Sequence, residues 1–135
     1  MNRIGKRMTL VAAALSAAVV LPATAALADD GDGNLACNSG EICYTWDGTY
    51  TYQKHFWNAG NDDNYVFTNV TNGVRSGYQV RDNAWGVWNR DTACNVRIVD
   101  DRGFYPDDVQ TIYRNGGWTK LIDSVRNQND RHERC

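Results

Sequence analysis

Four cysteines constrain this 135-residue chain more than any other feature, because the last of them is also its final residue. Cys37, Cys43, Cys94 and Cys135 form an even set in a short chain, which is typical of a secreted domain held by disulfides. The sequence is compatible with three pairings. We expect Cys37 to bond Cys43 across a short loop, which leaves Cys94 to bond the terminal Cys135. In the chain-entropy model the second bond contributes about 3 to 4 kcal/mol to stability.

The N-terminus predicts export to a compartment where such bonds form. Three basic residues precede an apolar run of 14 residues from Met8 to Leu21, and Ala26-Leu27-Ala28 supplies a small-residue cleavage site. At 1.5 Å per residue this run is too short to span a hydrocarbon core of roughly 30 Å. We therefore expect a signal peptide over residues 1–28 and a secreted, extracellular protein that has no membrane anchor after cleavage.

The charge of the mature chain bears on its partners. Cleavage after Ala28 removes three basic residues and no acidic ones, so 11 basic residues remain against 16 acidic ones, a net charge of −5 over 107 residues. Binding to nucleic acid or to anionic membranes needs clustered positive charge, so neither is expected. The length suits one domain. We expect a flexible acidic lead-in at 29–36 and a single monomeric domain at 37–135.

The mature chain predicts strands and turns with no long helix. Short runs rich in aromatic and β-branched residues are bounded by Gly, Asn, Asp or Pro. The runs are "EICYTWDG", "TYTYQKHFW", "NYVFTNVT", "AWGVWNR", "CNVRIVDD" and "VQTIYRN". Strands at this spacing indicate an all-β sandwich or barrel with Greek-key connections.

Internal similarity divides the domain into two units. "ICYTWDGTYTYQKHFW" and "VRIVDDRGFYPDDVQTIY" both run from a strand through an acidic turn into a second strand. We expect two Greek-key units, at about residues 42–91 and 94–130, with an insertion around "AGNDDNYVFTNVTNGVRSGY" in the first. The segment "LIDSVRNQND" is predicted to be the closing strand and turn of the second unit.

The order of these motifs resembles a known family. "C-x5-C-Y", "DNAWGVWNRDTAC", "VRIVDDRGFY", "IDSVRNQND" and a terminal Cys are similar to the secreted actinobacterial peptidase inhibitors of βγ-crystallin fold, the streptomycete metalloproteinase inhibitor type. The similarity extends from about Cys37 to Cys135. It implies a βγ-crystallin-like sandwich of two Greek keys and inhibition of a secreted protease, a zinc metalloprotease above all.

The same resemblance implies a position for the inhibitory loop. The family's reactive position is a Cys-Val pair, and in this chain Cys94 is followed by Asn95 and then by Val96. The candidate inhibitory loop is therefore Cys94, Asn95 and Val96, tethered by the disulfide, with Val96 as the apolar residue that the protease selects. A competing interpretation makes Val96 and Ile98 inward-facing residues of a strand.

Calcium binding is a second possibility that the resemblance raises, because microbial βγ-crystallins often hold this ion. The ion takes six to eight oxygen ligands. Asp82 and Asn83 supply an acid-amide pair in the first unit, and Ser124 supplies a hydroxyl in the second, but neither unit has the complete set. No cofactor is expected, and a degenerate calcium site at Asp82, Asn83 and Ser124 is the alternative hypothesis.

The sequence is compatible with one further function class and argues against another. Five tryptophans and seven tyrosines are numerous enough to form a carbohydrate or cell-wall binding surface, and related folds occur in killer-toxin-like proteins. Enzymatic activity is not expected, because all four cysteines have disulfide roles and the chain has neither a nucleophile-elbow serine nor an H-E-x-x-H motif.

Overall fold

The computed structural model of the protein describes residues 31–114 and 116–135. The predicted signal peptide and the first two residues of the lead-in lie outside these ranges. The described residues contain strands and turns but no helix, so none of them forms a helix that could cross a bilayer. The prediction of an all-β fold is confirmed.

Ten strands are present in the described part of the chain, and every pairing between them is antiparallel. They are β1 (Ile42–Thr45), β2 (Tyr52–Phe56), β3 (Gly60–Asn61), β4 (Val66–Asn69), β5 (Arg75–Gln79), β6 (Gly86–Asn89), β7 (Val96–Asp100), β8 (Asp108–Ile112), β9 (Thr119–Lys120) and β10 (Arg131–Arg134). Five of them fall within the runs predicted from the sequence, and β8 begins one residue before its run.

Within the described ranges, the strands form two sheets that exchange one strand between the two halves of the chain. The first sheet has the order β5-β4-β2-β1-β6-β9, and the second has the order β3-β10-β7-β8. The short strand β9 comes from the second half but pairs with β6, whereas β3 comes from the first half but pairs with β10. Each sheet therefore needs a strand from the other half.

The predicted position of the closing strand of the second half is wrong. "LIDSVRNQND" forms turns and irregular structure, and the closing strand is β10, which lies beyond the expected boundary at residue 130. Asn127 has a φ of 58°, which a strand does not accommodate. The amides of Val125 and Arg126 both donate to the carbonyl of Ile122, which closes the turn.

The hydrophobic core lies between the two sheets. In β7, Val96 and Ile98 are fully buried while Arg97 between them is exposed, as the two-residue period of a strand requires. Both halves contribute to the core, whose buried members are Ile42, Tyr44, Phe56, Phe67, Val80, Ala84, Val87, Val96, Ile98, Ile112, Leu121 and Val125.

The two disulfides of the described residues have the pairing favoured from the sequence. Cys37 bonds Cys43, with 6.0 Å between their Cα atoms. Cys94 bonds Cys135 with a Cα separation of 5.4 Å, so it joins the start of β7 to the end of β10. The second bond closes the longer loop, 41 residues in sequence against 6.

Loop length predicts the relative effect of removing each bond. Replacing both Cys94 and Cys135 by Ala is expected to lower the free energy of unfolding by about 3 to 4 kcal/mol, whereas replacing Cys37 and Cys43 costs about 2 to 3 kcal/mol. Urea denaturation of the two double variants measures both values. A larger loss from the Cys37 and Cys43 replacement would contradict this account.

Candidate functional site

The most exposed aromatic side chain of the described residues, Phe104, projects from one end of the second sheet beside Tyr105. Phe104 has a relative exposure of 107% and Tyr105 of 70%. Both belong to the loop at residues 101–107, which we call the Phe104 loop and which joins β7 to β8. The two strands remain paired up to Asp100 and Asp108, so the loop begins and ends at a fixed position. Two adjacent exposed aromatic rings offer a contiguous apolar surface, which is a feature of many interaction sites.

Local backbone geometry places Phe104 at the apex of the loop. The amide of Tyr105 donates to the carbonyl of Arg102 at 3.3 Å and closes a turn. Gly103, the first central residue of this turn, has a φ of 63°, which glycine adopts without steric cost. The amide of Gly103 also donates to the side chain of Asp101 at 3.0 Å. The turn is therefore held by hydrogen bonds on both sides of Gly103.

One arginine ties the two ends of the Phe104 loop together. Arg131, on β10, places Nη1 at 3.2 Å from Asp101 and Nη2 at 2.9 Å from Asp107. The hydrogen bond with Asp107 is the main reason that the pKa of Arg131 is raised. Because a single guanidinium spans both carboxylates, it holds the ends of the loop at a fixed separation.

Two more contacts fasten the loop to the body of the domain. Arg102 pairs with Asp108 at 3.1 Å, across the base of the hairpin. The amide of Asp101 donates to the carboxylate of Asp130 at 2.7 Å, just before β10. Exposed ion pairs contribute at most about 1 kcal/mol each, so their effect here is to restrict the geometry of the loop more than to stabilise the domain.

Beside this base lies a buried polar network. His132 Nδ1 is 2.8 Å from Asp62, and His132 Nε2 is 2.7 Å from the carbonyl of Asn58. The side-chain amide of Asn129 donates to the other carboxylate oxygen of Asp62 at 2.6 Å and to the backbone carbonyl of Val80 at 3.1 Å. Asp62, Asn129 and His132 are all buried, so the network joins the two halves of the chain inside the protein.

The chemistry of these partners determines where the protons lie. A carbonyl can only accept, so Nε2 of His132 carries a proton and donates it to Asn58. A second proton lies between Nδ1 of His132 and the carboxylate of Asp62. The nearby Tyr44 hydroxyl is also fully buried, and burial first and the Asp62 charge second raise its pKa well above the usual value.

The structure places the sequence-predicted inhibitory loop inside the sheet. Val96 is fully buried, and its backbone pairs with Arg134 of β10 on one side and Ile112 of β8 on the other. Asn95 is exposed, but its side-chain oxygen accepts a hydrogen bond from the amide of Arg114 at 3.1 Å. Val96 cannot enter a protease cleft while β7 stays paired. Its position agrees with the competing interpretation of an inward-facing strand residue.

The three calcium candidates, Asp82, Asn83 and Ser124, each have different hydrogen-bond partners among the described residues, or none. The amide of Asp82 donates to the carbonyl of Asn129 at 3.0 Å, and Asn83 donates through its side chain to the carbonyl of Arg81 at 2.9 Å. Arg81 lies 3.8 Å from the carboxylate of Asp82 and places a positive charge there. The hydroxyl of Ser124 forms no hydrogen bond with any described residue. These contacts do not gather the three residues around one point.

A group of potential metal ligands occurs elsewhere among the described residues, at Cys37, Glu41 and Cys43. The two sulfurs are bonded to each other, so neither is available as the thiolate that a metal requires. The carboxylate of Glu41 accepts hydrogen bonds from the amides of Asp32 at 2.8 Å and Asn38 at 2.6 Å. Its role is therefore structural.

None of the five tryptophans is fully buried, all of them lying in the described ranges. Three of them form a row with a tyrosine, in the order Trp85, Tyr50, Trp118 and Trp88. Tyr50 stacks on Trp118 with 5.1 Å between ring centres, and the cations Lys120 and Arg90 lie over the end rings Trp85 and Trp88. The rings in this row mainly contact one another and their flanking cations, which leaves less of their faces for a sugar.

Sequence reasoning did not identify Phe104 and Tyr105 as site residues. The signal was their position in "DDRGFYPDD", where two aromatics lie between acidic pairs, a glycine and a proline and outside any alternating strand pattern. No protein-family model, curated protein or solved structure matches the chain.

The buried network predicts a large stability effect from a small change. Replacing Asp62 by Asn keeps the side-chain size but removes the charge opposite His132, and is expected to lower the free energy of unfolding by about 3 to 5 kcal/mol. Asp123 pairs with Arg126 on the surface, so the same replacement there should cost less than about 1 kcal/mol. Equal losses in urea denaturation would show that the network is not the stabilising element.

Proposed function

We propose that the protein is a secreted, non-enzymatic peptidase inhibitor of βγ-crystallin type that presents the Phe104 loop to an extracellular metalloprotease. The observation that carries this proposal is the full exposure of Phe104 at the apex of a braced loop. The inhibitory position differs from the one that the family resemblance implies, because Val96 lies buried in β7.

The strand exchange supports the βγ-crystallin part of the proposal. In the first sheet, three strands of the first half have the order β2-β1-β6, and the short strand β9 of the second half pairs beside β6. In the second sheet, three strands of the second half have the order β8-β7-β10, and the short strand β3 of the first half pairs beside β10. Two interlocked Greek keys of this kind are what the sequence resemblance implies for the domain. The β4–β5 hairpin extends the first sheet beyond this common pattern and corresponds to the insertion that the sequence predicts.

The chemistry of the loop fits the specificity of thermolysin-like enzymes, which favour a bulky apolar residue just after the scissile bond. Phe104 would fill that specificity pocket, and the bond between Gly103 and Phe104 would lie at the catalytic zinc. Gly103 has no side chain to obstruct approach to this bond. Because the loop is already held by Arg131 and Arg102, little conformational entropy is lost when it binds.

The same bracing explains why the loop would inhibit instead of being released as a product. After cleavage, the two new ends would still be attached to β7 and β8, which pair through five residues each. Arg131 would also continue to hold Asp101 and Asp107, on opposite sides of the cleaved bond. The ends would stay close enough to exclude water from the cleft and to rejoin.

Removing the exposed ring tests the contact directly. Phe104→Ala is expected to raise the inhibition constant for thermolysin about 30-fold or more, the effect of losing a central apolar anchor. Tyr113→Ala is the matched control, since Tyr113 is 70% exposed but lies just past the opposite end of β8. Equal inhibition constants for the two variants would contradict the proposed contact.

Loosening the loop tests the role of Arg131. Arg131→Gln leaves Phe104 in place but unties Asp101 from Asp107, so the variant is expected to inhibit about tenfold more weakly and to be cleaved faster within the loop. Inhibition assays and mass spectrometry of the digest measure the two effects. Arg97→Gln, an equally conservative change on β7, should alter neither; cleavage of both variants at wild-type rate would show that bracing is unimportant.

A further inference from the structure

A groove of about 350 Å³ lies on the first sheet, whereas the Phe104 loop belongs to the second. Its floor includes Val66 and Thr68 of β4, which flank the core residue Phe67 and therefore face away from the core. Residues 33–35 form one wall of the groove. The volume lies within the roughly 300 to 1,000 Å³ typical of small-molecule sites.

The lining combines an apolar surface with fixed walls. Leu35, Val66 and Val70 supply aliphatic side chains, and Leu35 is 40% exposed at this position. The wall at 33–35 is anchored just before it, where the amide of Asp32 donates to the buried carboxylate of Glu41 at 2.8 Å. This wall of the groove is thus held in place by the protein itself.

The charge of the groove is opposite to that of the whole chain. The chain has 16 acidic and 14 basic residues, but the residues that line the groove include Lys54 and Arg75 and neither aspartate nor glutamate. Arg75 is exposed on β5, where its backbone pairs with Thr68, and its guanidinium forms no hydrogen bond or ion pair with any described residue. Its guanidinium is available to a ligand.

His55 lines the same groove without adding charge. Its ring is 6% exposed, and Nε2 lies 2.9 Å from the side-chain oxygen of Gln53. Burial lowers the pKa of His55 to about 4, so the ring is neutral at pH 7. The positive charge of the groove therefore comes mainly from Arg75, because the ammonium of Lys54 lies over the rings of Phe56 and Tyr65.

We infer that this groove binds a small amphipathic carboxylate. The apolar chain of the ligand packs against Leu35, Val66 and Val70, and its carboxylate pairs with Arg75. A guanidinium can form two parallel hydrogen bonds with a carboxylate, which makes this pairing strong. This activity is separate from protease inhibition, because the two sites lie on different sheets.

Octanoate is a suitable probe, and amide chemical shifts of the ¹⁵N-labelled protein report where it binds. Saturable shifts are expected at residues 33–35, at 66–70 and at Arg75. Arg75→Gln should raise the dissociation constant about fivefold, the effect of losing one solvent-accessible ion pair. Arg97→Gln, on the second sheet, should leave it unchanged, and 1-octanol should bind the wild type as weakly as octanoate binds Arg75→Gln.

A second variant tests the groove itself. Thr68→Trp fills the space beside Arg75 and is expected to abolish the octanoate shifts, while the spectrum of the second sheet stays as in the wild type. The inference is overturned if octanoate shifts are absent, if they cluster at Phe104 and Tyr105, or if Arg75→Gln binds as tightly as the wild type. Loss of thermolysin inhibition with retained octanoate binding would overturn the proposed function alone.

Discussion

The buried contact between Asp62, Asn129 and His132 is the interaction on which the rest of the structure depends. It fixes the last strand, β10, against a loop of the first half through hydrogen bonds between buried polar side chains. A buried polar side chain that loses its hydrogen-bond partner destabilises the fold. The network therefore favours one arrangement of the two halves. The Cys94–Cys135 bond then secures the end of the same strand.

The same strand, β10, also positions the candidate site. Because His132 is anchored, its neighbour Arg131 is held where it reaches both Asp101 and Asp107. The Phe104 loop is therefore positioned by the same element that joins the halves. A rigid interior thus supports an exposed loop whose apex is apolar, which is the arrangement that substrate-like inhibition needs.

Much of this fold but little of the site could be predicted from the sequence. Local patterns reveal strands and turns, whereas contacts between residues far apart in the sequence leave no such pattern. Alternation and turn residues are local, so runs such as "CNVRIVDD" identified β7 and its buried Val96 and Ile98. The strand "RHER" was missed because its burial depends on Asp62, 70 residues away in sequence. Phe104 was missed because an aromatic beside a strand pattern is ordinarily part of the core.

The proposed function requires the Phe104 loop to enter a metalloprotease cleft. Hydrogen exchange of this protein, measured alone and with an equimolar amount of thermolysin, tests it most directly. We expect slower exchange at residues 101–107 and no change on the first sheet. Unchanged exchange in the loop, or protection confined to the tryptophan row or the groove, would contradict it.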